Sequence, residues 1–255
     1  MARSRAAFAP LALLLLAGSI VLLLFVILAG TVRTTPFRQT HFLSADTSGI
    51  AGARALSRWT YFRICGADNT GCSHAWPDPP VGWAWSRNPT GSNLPTKLIG
   101  SYGGGTTSFA YFYMWRFGWV FYLLALLFTV VAFFTGFLAC FGRLGSALAA
   151  LMSSGALFFL ALAASLMTAT FVKMRAAFTA VGRDASLGVW AFGFTWGAVA
   201  AVLIATVLFW LGIRGDGAGA AAGGSGGARW GRRRRSVRSR RSYDMGTHRV
   251  KEDYA

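Results

Sequence analysis

Four stretches without a single charged residue dominate this 255-residue chain. They lie between Arg5 and Arg33, Arg116 and Arg143, Arg143 and Lys173, and Asp184 and Arg214, with 27, 26, 29 and 29 uncharged residues respectively. The first contains LALLLLAGSIVLLLFVILA, Leu11 to Ala29. A membrane-spanning helix needs about 20 predominantly apolar residues. Lipid offers backbone N–H and C=O groups no partner, so a spanning segment is either a helix or a strand of a closed barrel. Barrel strands alternate polar and apolar residues over about ten positions, and these runs do not. The expected fold class is therefore all-α membrane, a four-transmembrane-helix bundle. Composition agrees: 55% of residues are hydrophobic and 13% charged, against about 25% charged in an ordinary soluble chain. A disordered protein, a coiled coil and an ordinary soluble enzyme are thereby excluded.

A cleaved signal peptide competes for the first segment, with Arg3 and Arg5 ahead of it and small residues near Ala29. Its 19-residue apolar run exceeds the roughly 7 to 15 residues of a signal core, so an uncleaved first span is expected. The order is then an amino-terminal segment 1–7, spans at 8–30, 117–141, 147–172 and 187–213, a large loop 31–115, a turn 142–146, a second loop 173–186 and a tail 214–255. An even number of spans puts both termini on one side. The tail carries eleven basic residues against four acids, whereas the other face has Arg33, Arg38, Arg116, Lys173, Arg175 and Arg183 near membrane ends. The positive-inside rule gives little weight to translocated loops longer than about 60 residues. Both termini are therefore expected in the cytoplasm.

The large loop holds Cys65 and Cys72. The turn formers Gly66, Asp68, Asn69 and Gly71 between them allow the two thiols to meet, and a translocated segment favours an oxidised bridge. On the entropic account such a short closure contributes about 2 kcal/mol. The competing reading joins both cysteines to His74 and His41 around zinc, but C-x6-C-x-H lacks the short spacing of structural zinc sites. The loop also carries Trp59, Tyr61, Phe62, Trp76, Trp83 and Trp85, stiffened by prolines. RWTYFRI, Arg58 to Ile64, alternates like a strand, so a small β-containing domain stapled by the disulfide is expected. FAYFYMW, Phe109 to Trp115, reads as an interfacial aromatic belt. Asp46, Asp68 and Asp78 are best explained as turn caps.

No catalytic constellation, cofactor motif or metal set can be assembled. No Asp, Glu or His lies in the four apolar runs, and such intramembrane groups mark ion and proton pathways. Gly193, Gly197, Ala201 and Ala205 recur every four residues, as do Ala161, Ser165 and Ala169. Small residues at this spacing let helices approach closely, with packing inside the bundle preferred over self-association.

The tail begins with a flexible linker, GDGAGAAAGGSGGA from Gly215 to Ala228. RWGRRRRSVRSRRS then brings eight arginines between Arg229 and Arg241. In a soluble protein this would suggest nucleic acid. Beside a membrane it suggests anionic lipid, phosphoinositide above all, at about 1 kcal/mol per basic residue. Arg232, Arg233, Arg234, Arg235, Arg238, Arg240 and Arg241 are the candidate lipid-binding residues, and a solvated charge run is the bland alternative. Phosphorylation at Ser236, Ser239 or Ser242 would subtract charge from the patch.

Several segments resemble the fungal Sur-seven/PalI family. They are Phe42 to Ile50, Arg58-Trp59-Thr60, Ile64-Cys65-Gly66, Asp68-Asn69, Cys72, Asp78-Pro79-Pro80, Tyr111 to Phe117, Phe134 to Ser146, Ala185 to Trp196 and the terminal VKEDYA. The resemblance implies a claudin-like, four-span protein of the plasma membrane, associated with eisosomes and cortical proteins. It also implies roles in membrane organisation, endocytosis and cell-wall integrity, no enzymatic activity, and a loop motif of Trp59, Gly66, Asp78, Pro79 and Pro80. A claudin-like channel or adhesion module acting through the aromatic loop is the alternative.

Overall fold

A computed structural model describes residues 2–32, 34–139 and 143–222. Its chain falls into two units, Met1–Asp216 and Gly217–Ala255; of the second only residues 217–222 are described, and they are helical. Four long helices carry the first unit: α1 (Ala2–Ile27), α3 (Phe109–Leu138), α4 (Arg143–Thr179) and α5 (Val189–Ala222), while α2 (Tyr102–Gly105) is a single turn. Segments Phe8–Ile27, Phe109–Leu138, Leu144–Thr179 and Val189–Ile213 are long and apolar enough to cross a bilayer. Helix α5 continues to Ala222, through residues whose glycines suggested a linker.

Each long helix buries one seam with alternating steps of three and four residues. On α1 it is Ala12, Leu16, Ser19, Leu23 and Val26. On α3 it is Trp115, Gly118, Tyr122, Ala125, Thr129, Ala132 and Gly136. On α4 it runs Ala149, Ser153, Ala156, Leu160, Ala163, Met167, Thr170, Met174 and Ala177, and on α5 Ala191, Thr195, Ala198, Val202, Ala205 and Phe209. A mean step of 3.5 residues keeps one stripe facing its partners along the helix, as in left-handed bundles. Small residues recur in every seam, while Leu14, Phe134, Leu151, Phe158 and Trp210 are turned outward. The bundle is thus sorted by size rather than polarity, as expected where lipid is as apolar as the core. Its buried threonine hydroxyls donate within their own helices, Thr129 to Ala125 O (2.6 Å), Thr170 to Leu166 O (2.7 Å) and Thr195 to Ala191 O (2.8 Å), while the buried Tyr122 hydroxyl joins α3 to α5 at Thr195 Oγ1 (3.2 Å).

Strands β1 (Leu43–Asp46), β2 (Leu56–Trp59), β3 (Ile64–Cys65) and β4 (Ala185–Leu187) form an antiparallel sheet in the order β3-β2-β1-β4. The register pairs Leu43 with both Trp59 and Leu187, and Arg58 with Cys65. RWTYFRI is therefore not one strand. It turns between β2 and β3, where Thr60 N bonds Arg63 O at 2.9 Å, because Tyr61 leaves the sheet for the bundle. Its ring stacks on Trp119 (centroids 5.5 Å) and its hydroxyl donates to Trp119 O at 2.7 Å. Phe42, just before β1, stacks on Phe171 of α4 with centroids 4.9 Å apart. Sheet and bundle share one apolar core.

Candidate functional site

The sheet domain is closed at one end by a Cys65–Cys72 disulfide, which removes two donors from the zinc alternative. Gly66 N bonds Thr70 O at 2.7 Å, and Asp68, Asn69 and Gly71 adopt left-handed backbone with φ of 54°, 52° and 55°. This tight turn aims Asn69 inward, where its amide donates to Phe37 O (2.9 Å) and Thr40 O (2.7 Å). The stapled turn thereby holds the chain that leaves α1. Asp68, at the surface, pairs with Arg38 at 2.8 Å and Arg58 at 3.5 Å. Arg38 holds its carboxyl below the usual range, first by hydrogen bonding and then by charge.

The tryptophans knit the loop together through their ring N–H groups. Trp59, buried, donates to Val81 O at 3.0 Å, Trp85 to Thr106 O at 3.2 Å, Trp83 to Gly103 O at 3.0 Å and Trp115 to Pro79 O at 3.0 Å. Pro80 lies so close to Gly103 that a Cβ there would sit 2.5 Å from the proline ring. Asp78 is the buried partner of Arg116 on α3 and not merely a turn cap. Burial pushes its carboxyl above the usual range while Arg116 opposes the shift. Only Asp46 acts as a simple cap, accepting Ser48 N at 2.9 Å. The Asp-Pro-Pro segment therefore fastens the loop to the start of α3 through one ion pair and one indole.

Arg183, which the sequence did not single out, fastens the second loop. It is 7% exposed. Its guanidinium donates to Asn93 O (2.7 Å), Ser92 O (2.8 Å), Ser48 O (2.9 Å) and Asp46 O (3.3 Å). Four carbonyls converge on one cation, so the second loop is clamped to the first at the point where β4 joins β1. Carbonyl acceptors carry no residue identity, which is why no motif announces the clamp. At the other end of β4, Gly188 approaches the backbone of His41 too closely for any side chain. His41 is pushed down to about 4, mainly by burial and then by Arg58, against its hydrogen bond to Gln39.

The remaining predicted residues are placed less uniformly. Gly193 is exposed with open space beside it, Gly197 lies near Leu22 of α1, and Ala205 is buried. On α4 Ser165 is exposed, so the stripe of Ala161, Ser165 and Ala169 is displaced by the seam through Ala156 and Ala163. The arginines from Arg232 to Arg241 and Ser236, Ser239 and Ser242 lie outside the described residues. What the arrangement offers chemically is rigid attachment: a stapled sheet, held to the helix ends by Tyr61, Asp78, Trp115 and Arg183.

The family model described as SUR7/PalI matches residues 8–208. The chain is 35% identical to Protein SUR7 of Candida albicans over 205 residues, covering 78% of this chain and 72% of that protein. It is 33% identical to the SUR7 family protein FMP45 of Saccharomyces cerevisiae, covering 76% of this chain and 62% of that one. A third relative, described as an uncharacterized plasma membrane protein of Saccharomyces cerevisiae, is 31% identical over 75% of this chain and 64% of its own length. The matched stretch is thus under two thirds of both Saccharomyces proteins. On the strength of the match over residues 8–208 and of these relatives, the four-helix, disulfide-stapled chain belongs to the SUR7/PalI family.

Proposed function

We propose that this protein is a non-enzymatic organiser of the plasma membrane, multi-pass with both termini in the cytoplasm, acting in the manner of eisosome-associated proteins. The observation that carries the reading is the single core shared by sheet and helices. Whatever the sheet domain contacts is transmitted to four spans as one rigid body, which suits a scaffold better than a swinging receptor. Roles in endocytosis and cell-wall integrity would follow from fixing lipids and cortical proteins in place. The basic tail adds a second hold, with Arg232 to Arg235, Arg238, Arg240 and Arg241 attracting anionic lipid such as phosphoinositide. A fluorescently tagged copy should form stable cortical patches that recover slowly after photobleaching. Uniform, freely diffusing membrane label would reject the organiser reading. Replacing the seven arginines by Gln should raise lateral mobility without removing the protein from the membrane. Ionic conductance of the purified protein in planar bilayers would instead support the claudin-like channel alternative.

A further inference from the structure

We propose that the sheet domain carries its own lipid-contact surface. The indoles of Trp76 and Trp83, continued by Tyr102, Phe109 and Tyr113, lie in the headgroup zone of the leaflet on the sheet side, with phospholipid as their partner. The proposal rests on α3 being a membrane span. Its 30 residues make a helix about 45 Å long, some ten residues more than a hydrocarbon core of about 30 Å requires. Its lone charge, Arg116, lies toward the amino-terminal end, so the surplus turns, residues 109–118, belong to the interface.

The loop descends along those turns. Trp76 N bonds Phe62 O at 3.1 Å, and the Phe62 ring packs on Trp119 with centroids 5.8 Å apart. Asp78, two residues on, pairs with Arg116. Trp76 is therefore level with the third turn of α3, where hydrocarbon begins, and yet it is 51% exposed, with Trp83 at 44%. The exposed rings form two groups joined through the backbone of Gly103. Trp76 and Trp83 lie 5.7 Å apart, Trp83 donates to Gly103 O beside Tyr102, and Tyr102 lies 5.4 Å from Phe109 and 5.9 Å from Tyr113. Tyr113 continues to Phe117 at 6.3 Å on the face of the span.

Charge at this level selects the partner. The exposed Lys173 stands level with Tyr111, whose hydroxyl donates to Lys173 O at 3.3 Å, and Arg116 lies between one and two turns further along α3. Asp78, the acid present, is buried and paired. An outward surface of aromatic rings bordered by cations matches a phosphate-bearing lipid interface, where amphipathic rings and snorkelling basic chains concentrate.

The test uses the full chain in phosphatidylcholine vesicles containing nitroxide-labelled lipid. Subtracting the emission of a Trp76→Phe/Trp83→Phe variant from that of the parent isolates the two indoles, and a double Tyr variant checks that the subtraction does not depend on one replacement. The isolated emission should be quenched more by a headgroup nitroxide than by one deep in the acyl chain, and be spared by aqueous iodide. Quenching by iodide but not by either lipid would overturn the proposal. So would protection from iodide that appears only on adding soluble glucan or at high protein density, which would assign the surface to polysaccharide or to a second copy. Trp196, exposed within α5, tests the span reading separately through the emission lost in a Trp196→Phe variant, which a deep nitroxide should quench whatever happens at Trp76 and Trp83.

Discussion

Arg183 is the side chain through which the two loops are one object. Hydrogen bonds to a charged group contribute roughly 1.5 to 3 kcal/mol each in mutational series, though four on one cation do not add. Arg183→Gln should cost about 3 kcal/mol, read as a lowered thermal midpoint of the purified protein, with Lys restoring only part because it lacks the fork that reaches four carbonyls. His41 makes a pH-dependent contribution. Its folded pKa of about 4 lies below the ordinary 6.5, so unfolding takes up a proton between those values. Stability is full above pH 6.5 and falls as pH drops toward 4. A midpoint that declines over this window, and a decline that flattens in His41→Gln, would bear this out; no difference between the two would refute it. The cysteine pair was legible at this scale because turn formers and compartment both bear on it. Asp78 was half legible, as a turn residue, because its partner Arg116 lies 38 positions away.

Among the elements, the helices were plain from their apolar runs, but their buried faces were not. A helix in lipid is hydrophobic all round, so the usual contrast between wet and dry faces is missing. What remains is a size pattern, and a search for small residues every four positions finds Gly193 and Ser165 on exposed surface. The 3.5-residue seam becomes clear only once the partners are in place. Ala156 and Phe158 on α4 separate the two faces sharply, the first fully buried and the second 59% exposed. Ala156→Phe should destabilise the bundle by about 1–3 kcal/mol through overpacking, whereas Phe158→Ala should leave it nearly unchanged in lipid. Equal effects in a thermal unfolding series would show that the seam is misassigned. The sheet was only partly legible, because β4 comes from a segment 139 positions beyond Asp46 that reads as a short loop. Gly188 permits that pairing, and Gly188→Ala should loosen β1 from β4. Faster amide exchange at Asp46 and Gly188, whose N–H groups bond Asp184 O and Phe42 O, is the expected signature.

For the whole molecule the decisive question is which side each end faces. Under the proposed topology, four spans leave the amino-terminal segment and the tail on one side and the sheet domain on the other. The tail's eleven basic residues against four acids favour its retention in the cytoplasm, with the sheet domain in an oxidising space that matches its disulfide. The distribution of lysines supplies a test without inserted tags, which near Asn93 would disturb the carbonyl bonded to Arg183. The chain has three: Lys97, Lys173 and Lys251. Lys97 is exposed in the sheet domain, Lys173 lies toward the same end of α4, and Lys251 is in the tail. A membrane-impermeant amine reagent applied to intact spheroplasts should modify Lys97 and leave Lys251 untouched until detergent is added. The opposite order would invert the molecule. It would move the basic tail away from the inner leaflet and leave a stapled disulfide in a reducing compartment, so the lipid-anchoring role of the tail would fall with it. Modification of Lys251 and Lys97 together in sealed cells would mean an even number of spans between them, so that one of α3, α4 and α5 does not cross, whereas loss of the first helix would leave this labelling pattern unchanged.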